Sequence, residues 1–175
     1  MDVDLGLLLL RVVLTALLWG HATQKLFGWF HGQGAQATAR SFEHWGLRPG
    51  LGFVILSGTS ELIGGALIVL GLLIPVGVMI VVGTMIVAIA YNLSHGLWAH
   101  RGGYEVALVY ALLAIVIGVT GPGAFSADAA WGLTWLHGPL WTLGAALLGL
   151  AGAMGPITIR NITVRHAASS TDAAA

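Results

Sequence analysis

The chain has no cysteine. Disulfides, thiol–disulfide exchange, iron–sulfur ligation by this chain and a cysteine nucleophile are all excluded. Histidine, carboxylate and cofactor chemistry remain. Charge is nearly as scarce: Asp, Glu, Lys and Arg make up 8% of the 175 residues, against 57% hydrophobic. A soluble domain carries roughly 25% charged residues. A chain this poor in charge cannot coat a water-facing surface, and with a mean hydropathy of +0.89 it reads as an integral membrane protein. Seven cationic and seven anionic side chains cancel, and no basic tail or patch points to nucleic acid. Period-two alternation is also missing, so the backbone must satisfy itself in lipid as helices rather than as a closed barrel. No P-loop, nucleophile elbow or dinucleotide-binding glycine motif is present.

What is there is a set of long apolar runs. A span needs about 20 apolar residues to cross roughly 30 Å of hydrocarbon. Four runs predict spans at about 5–27, 51–73, 75–98 and 104–120, and a fifth is expected at about 136–154, ended by Gly155–Pro156. The expected fold is an all-α membrane bundle of four helices plus an additional C-terminal helix. The N-terminus, "MDVDLGLLLLRVVL", lacks a basic leader and a small-residue cleavage site, so it reads as a retained first helix. The stretch 28–50 carries Trp29, Phe30, Phe42 and Trp45. Such aromatics suit the membrane–water interface, and an interfacial anchor is expected there. A short helix over "TARSFEHW", lying on the bundle as a lid, is the alternative. The last residues read as a polar tail that frays.

Lys25, Arg40, Arg48, Arg101, Arg160 and Arg165 fall at one end of this arrangement, whereas the connections at the other end have no Lys or Arg. The positive-inside rule then places the N-terminus outside and the C-terminus inside.

The ionisable residues converge on the basic end. At 1.5 Å per residue His21 lies about 9 Å, Glu61 about 15 Å and His95 about 5 Å in from their helix ends, and Glu105 opens the fourth helix. On helix one, Arg11, Thr15, Leu18, His21 and Lys25 fall in one arc. Ser57, Glu61 and Gly64 or Gly65 form a stripe on helix two, as do Thr84, Tyr91, Asn92 and His95 on helix three. A bare carboxylate at the depth of Glu61 costs several kcal/mol, so it is protonated or paired with Lys25, His21, Arg101 or a bound cation. His31, His44, His100, His137 and His166 read as interfacial or solvated. A group of His and Glu residues suits a divalent metal such as Fe, Mn or Zn, although the Glu-x-x-His spacing of di-iron bundles is absent. It also suits haem ligated by His21 and His95, or the carbonyls and protons of a quinone head group. A half-buried site open to lipid fits the quinone best. A non-catalytic assembly subunit with the cluster as bundle glue, or a small-solute or proton carrier, are the competing readings.

"HATQKLFGWF", "GTSELIGGALIVLGLLIP", "NLSHGLW…GGYEVALVYALLA" and "GPGAFSADA", in this order over about residues 7–130, resemble the DoxX family. The resemblance implies a small four-helix membrane domain over 1–130, with 131–156 as an extra helix and 157–175 as a tail. It implies redox work: the family is named for a subunit associated with archaeal terminal quinol oxidase and thiosulfate:quinone oxidoreductase activity, and other members associate with enzymes of oxidative-stress defence. The family's recurring polar positions correspond to His21, Lys25, Glu61, His95, Tyr104 and Glu105. His21 and Glu61 are expected to handle protons and hydrogen bonds, with the others completing the binding pocket. The expected setting is the plasma membrane of a prokaryote, with lipid, other subunits of a redox complex or further copies of the chain as partners. Whether this chain is itself part of the enzyme or an accessory to it is left open by the residues.

Overall fold

A computed structural model describes residues 1–172. Seven α-helices are present among them: α1 (Asp2–Phe27), α2 (Gly34–Trp45), α3 (Gly50–Leu70), α4 (Ile74–Asn92), α5 (Glu105–Thr120), a single turn α6 (Ala127–Ala130) and α7 (Pro139–Asp172). α1, α3, α4 and α7 are long and apolar enough to cross a membrane, and α5 is a shorter apolar helix. At 16 residues, α5 is about 24 Å long. The expected bundle of four helices plus a C-terminal fifth is what forms. Its surface is leucine, valine and isoleucine, with Leu9, Val13, Ile55, Ile63, Leu112 and Leu147 all more than half exposed or nearly so, and lipid is the solvent such a surface requires.

α1 packs on α3, α3 on α4, and α4 on both α5 and α7. The core between them is Leu14, Leu18, Ile68, Val78, Val81, Ala114 and Ile117, all fully buried. Lipid tails are as apolar as these side chains, so close packing and interhelical hydrogen bonds hold the helices together. Both are visible. Arg11, Thr15 and Trp19, spaced one turn apart on α1, donate to α3 carbonyls: Arg11 to Ile68 and Val69, Thr15 to Gly65 and Trp19 to Leu62. α4 and α7 meet backbone to backbone: a Cβ on Gly149 would stand 2.6 Å from the carbonyl oxygen of Met79, and one on Gly83 2.9 Å from that of Gly149.

Three boundaries differ from the sequence expectation. The third span stops at Asn92 rather than Trp98, because Gly96 takes φ +77° and the chain continues as two short 3-10 turns. The second stops at Leu70, capped by Gly71 in the left-handed region. The fifth does not end at Gly155–Pro156. It runs on to Asp172 with Pro156 inside it, so the described part of the expected polar tail is helix. A proline within a membrane helix removes one hydrogen bond without ending it.

The end opposite the basic one is closed by a polar knot. The Arg11 guanidinium, 1% exposed, also reaches the carbonyls of Pro122 and Phe125. Asp128, fully buried, accepts from the backbone N–H groups of Leu73 and Ile74 at the start of α4 (2.8 and 3.2 Å) and pairs with His137 Nε2 at 3.0 Å. A cation on the last carbonyls of α3 and an anion on the first N–H groups of α4 complement both helix ends. His137, expected to be interfacial or solvated, is tied into this knot by its pairing with buried Asp128.

Candidate functional site

α1 and α3 run antiparallel, which sets Lys25, one turn from the end of α1, opposite Glu61 in the middle of α3. Lys25 Nζ donates to Glu61 Oε1 at 2.7 Å. Glu61 is 2% exposed, and the bridge supplies the counter-charge a carboxylate at that depth requires. Its second oxygen, Oε2, is the one buried side-chain polar atom without a hydrogen-bond partner among the described residues. Buried polar groups are paired in the great majority of cases, so this atom stands out.

His21 completes the cluster from α1, and Tyr110, 6% exposed, from α5. His21 Nδ1 lies 3.1 Å from the carbonyl oxygen of Leu17. Nδ1 also lies 3.5 Å from the Tyr110 hydroxyl, so it donates to the carbonyl in one tautomer and accepts from the hydroxyl in the other. The Tyr110 ring meets the imidazole edge-on at 5.5 Å between centroids. His21 is exposed at the rim: at 100° per residue it lies about 80° away from Arg11, and Ala22 takes the buried place.

These four residues line one end of a cavity of about 830 Å³. Ligand sites typically fall between about 300 and 1,000 Å³. Ser57 and Ser60 of α3, Thr84 and Tyr91 of α4, and Gly149 and Gly152 of α7 continue its wall. Leu148, 63% exposed and about 14 Å along α7, also lines it, so the cavity reaches the lipid-facing surface at mid-depth. At the basic end α2 covers it with Thr38, Ser41, Phe42 and Trp45. Gly50 makes this close crossing possible, since a Cβ there would overlap the carbonyl of Ala39, and the Gly50 N–H donates to Glu43 Oε1. The loop aromatics therefore divide. Trp29 and Phe30 point outward, 58% and 69% exposed, as an anchor would. Phe42 and Trp45 close the cavity, Phe42 tilted against the Tyr91 ring and Trp45 edge-on to it, with centroids 5.6 and 5.3 Å away.

The comparison with family models matches residues 6–101 to DoxX. The chain belongs to the DoxX family. No curated protein and no solved structure matches it. The DoxX match covers α1 to the turn after α4 and stops before Tyr104 and Glu105, short of the 7–130 over which the resemblance was read.

Of the six positions expected to build the DoxX pocket, the structure brings His21, Lys25 and Glu61 together. It does not bring the other three. His95 is exposed on the turn past α4, and neither it nor Tyr104 nor Glu105 lines the cavity. Glu105 serves its own loop, where Oε2 accepts from the Ala99 N–H at 2.9 Å. The absence of His95 from the cavity lining follows from the early end of α4. No group of three or more His, Asp or Glu capable of holding a metal ion forms among the described residues. Tyr110 and the glycines of α7 were not anticipated. Tyr110 was the detectable one, as the sole polar side chain inside an apolar run.

Proposed function

We propose that this DoxX protein binds a quinone, or a similar lipid-soluble redox partner, as a membrane subunit of a quinone-linked redox system. What carries this is the cavity: it opens to the lipid-facing surface at mid-depth and is lined at its end by Glu61, a buried carboxylate with one unpaired oxygen. A head group with two polar oxygens on an apolar ring and tail suits a wall that is polar at one end and carries Met79, Ile80, Met85, Val87, Val106 and Leu148 along the rest. Glu61 and His21 Nε2 supply hydrogen-bonding atoms. Lys25 is the hydrogen-bonded partner of Glu61 and, being 23% exposed, links it to the basic end, where protons exchange with water. The positive-inside rule puts that end in the cytoplasm of a prokaryotic cell.

The test is titration of the purified protein with ubiquinone-1, following the fluorescence of Trp45 and the other tryptophans. Glu61→Gln and His21→Ala should each weaken binding about tenfold, the scale of one hydrogen bond to a charged or buried partner. Affinity unchanged in both would sink the proposal.

The Lys25–Glu61 bridge also ties α1 to α3, which favours a second reading: a non-catalytic assembly subunit whose polar cluster is glue. In that case Glu61→Gln lowers the melting temperature and leaves quinone affinity and any associated activity as they were.

A further inference from the structure

We propose that the gap between α3 and α7 is a lateral portal, through which the ligand's apolar tail passes into the bilayer while its head group stays inside. The ligand class is then a long-tailed quinone, and this rests on the quinone reading above. Helix packing places the gap. α7 packs on α4 and α5, and α3 packs on α1, α2 and α4. Among the described residues α3 and α7 therefore flank α4 without packing closely on each other. The face of α4 between them lines the cavity. A Cβ on Gly64 of α3 would stand 3.1 Å from Ile80, and one on Gly83, a turn later, 2.9 Å from the Gly149 carbonyl of α7. Ile80 and Gly83 both line the cavity.

The two edges of the gap match. Phe53, Ser57 and Glu61 on α3, and Leu148, Gly152 and Pro156 on α7, all line the cavity. Each set is spaced by four residues, so each follows one helix face for about 12 Å. Leu56 and Leu148, one on each edge, line the cavity and are more than half exposed, so the gap faces lipid. Toward water it is covered. α2 packs on α3, and Arg160 of α7 donates to the Trp45 carbonyl at the end of α2 and lies 5.3 Å over that ring. His21 also reaches the surface, beside Tyr110, but there the flanking helices α1 and α5 do pack on each other. Gly152 marks the free space. A Cβ on it meets nothing within 4 Å, whereas one on Gly149 meets the Met79 carbonyl at 2.6 Å. α7 is thus pressed on α4 at Gly149 and stands clear at Gly152. Lipid solvates an apolar tail as well as an apolar wall does, so the portal need only let the tail through, and a long tail costs no affinity.

The experiment uses the full-length protein in nanodiscs with ubiquinone-0, which has no tail, ubiquinone-2 and ubiquinone-10. Affinities of the two tailed forms are expressed as mole fraction in the bilayer, which removes partitioning. The expected result is that ubiquinone-10 binds as tightly as ubiquinone-2. Gly152→Phe puts a ring into the portal. It should weaken ubiquinone-10 by about tenfold or more beyond any effect on ubiquinone-0, the scale of overpacking a fitted site. Wild-type binding of ubiquinone-10 about tenfold or more weaker than that of ubiquinone-2 means that the tail has no way out; it overturns the portal and leaves quinone binding standing. A folded Gly152→Phe protein that weakens ubiquinone-0 and ubiquinone-10 alike, or neither, also overturns it. Binding of none of the three overturns both readings. The wild-type comparison of tail lengths needs no variant, so it decides if Gly152→Phe fails to fold.

Discussion

Arg11 and Asp128 show what a charge in a membrane bundle needs. Arg11 finds four backbone carbonyls, on α3 and on the segment after α5. Asp128 finds two N–H groups and an imidazole. Removing one partner from a buried ionic arrangement strands the other, at a cost of about 3–5 kcal/mol. Arg11→Met and Asp128→Asn should therefore each lower the melting temperature in detergent by many degrees. Both sites lie at the opposite end from Glu61, so ligand affinity of the folded fraction should stay as in wild type. Glu61 and Lys25 were legible at this scale because depth in a span follows from counting residues and an unpaired charge at depth demands a partner. Asp128 was not. Its partners Leu73 and Ile74 lie more than fifty residues away, and nothing in "GPGAFSADA" states that it caps another helix. His21 was placed on the inward arc, but its offset leaves it on the rim.

At the level of helices, α4 and α7 meet closely through Gly83 and Gly149. A side chain at Gly149 meets a carbonyl, not a movable group, and overpacking of this kind costs typically 1–3 kcal/mol. Gly149→Leu should lower the melting temperature by that measure. Because Gly149 also lines the cavity, ubiquinone-1 affinity should fall as well, and the two effects are read in one preparation by thermal unfolding and titration. Helix number and order were legible from the apolar runs. Helix ends were not. Pro156 reads as a stop in a soluble chain, yet α7 continues past it, and there Arg160 donates to the Trp45 carbonyl and lies 5.3 Å over its ring. That contact between α7 and α2 had no sequence signal, since it depends on a helix the proline was expected to end.

Taken whole, the molecule has unlike ends: one sealed by the Arg11–Asp128 knot, the other basic and carrying the cavity beneath α2. The missing cysteine makes its orientation easy to measure, because any cysteine introduced is the only one. Val3→Cys should react with a membrane-impermeant maleimide on intact cells, and Ser169→Cys only after permeabilisation. The reverse pattern would invert the orientation. The unlike ends were legible from where Lys and Arg fall. That one end is plugged and the other hollow was not, because a cavity is a property of helices meeting and not of any one of them.

The Arg11 knot also bears on how the protein is made. Arg11 is synthesised before all four of its acceptors, two of which are on α3 and two on the segment after α5. Until Pro122 has been synthesised, the guanidinium has at most half of its final partners. The first helix therefore enters the membrane as a provisional span and is locked only when the segment after α5 arrives.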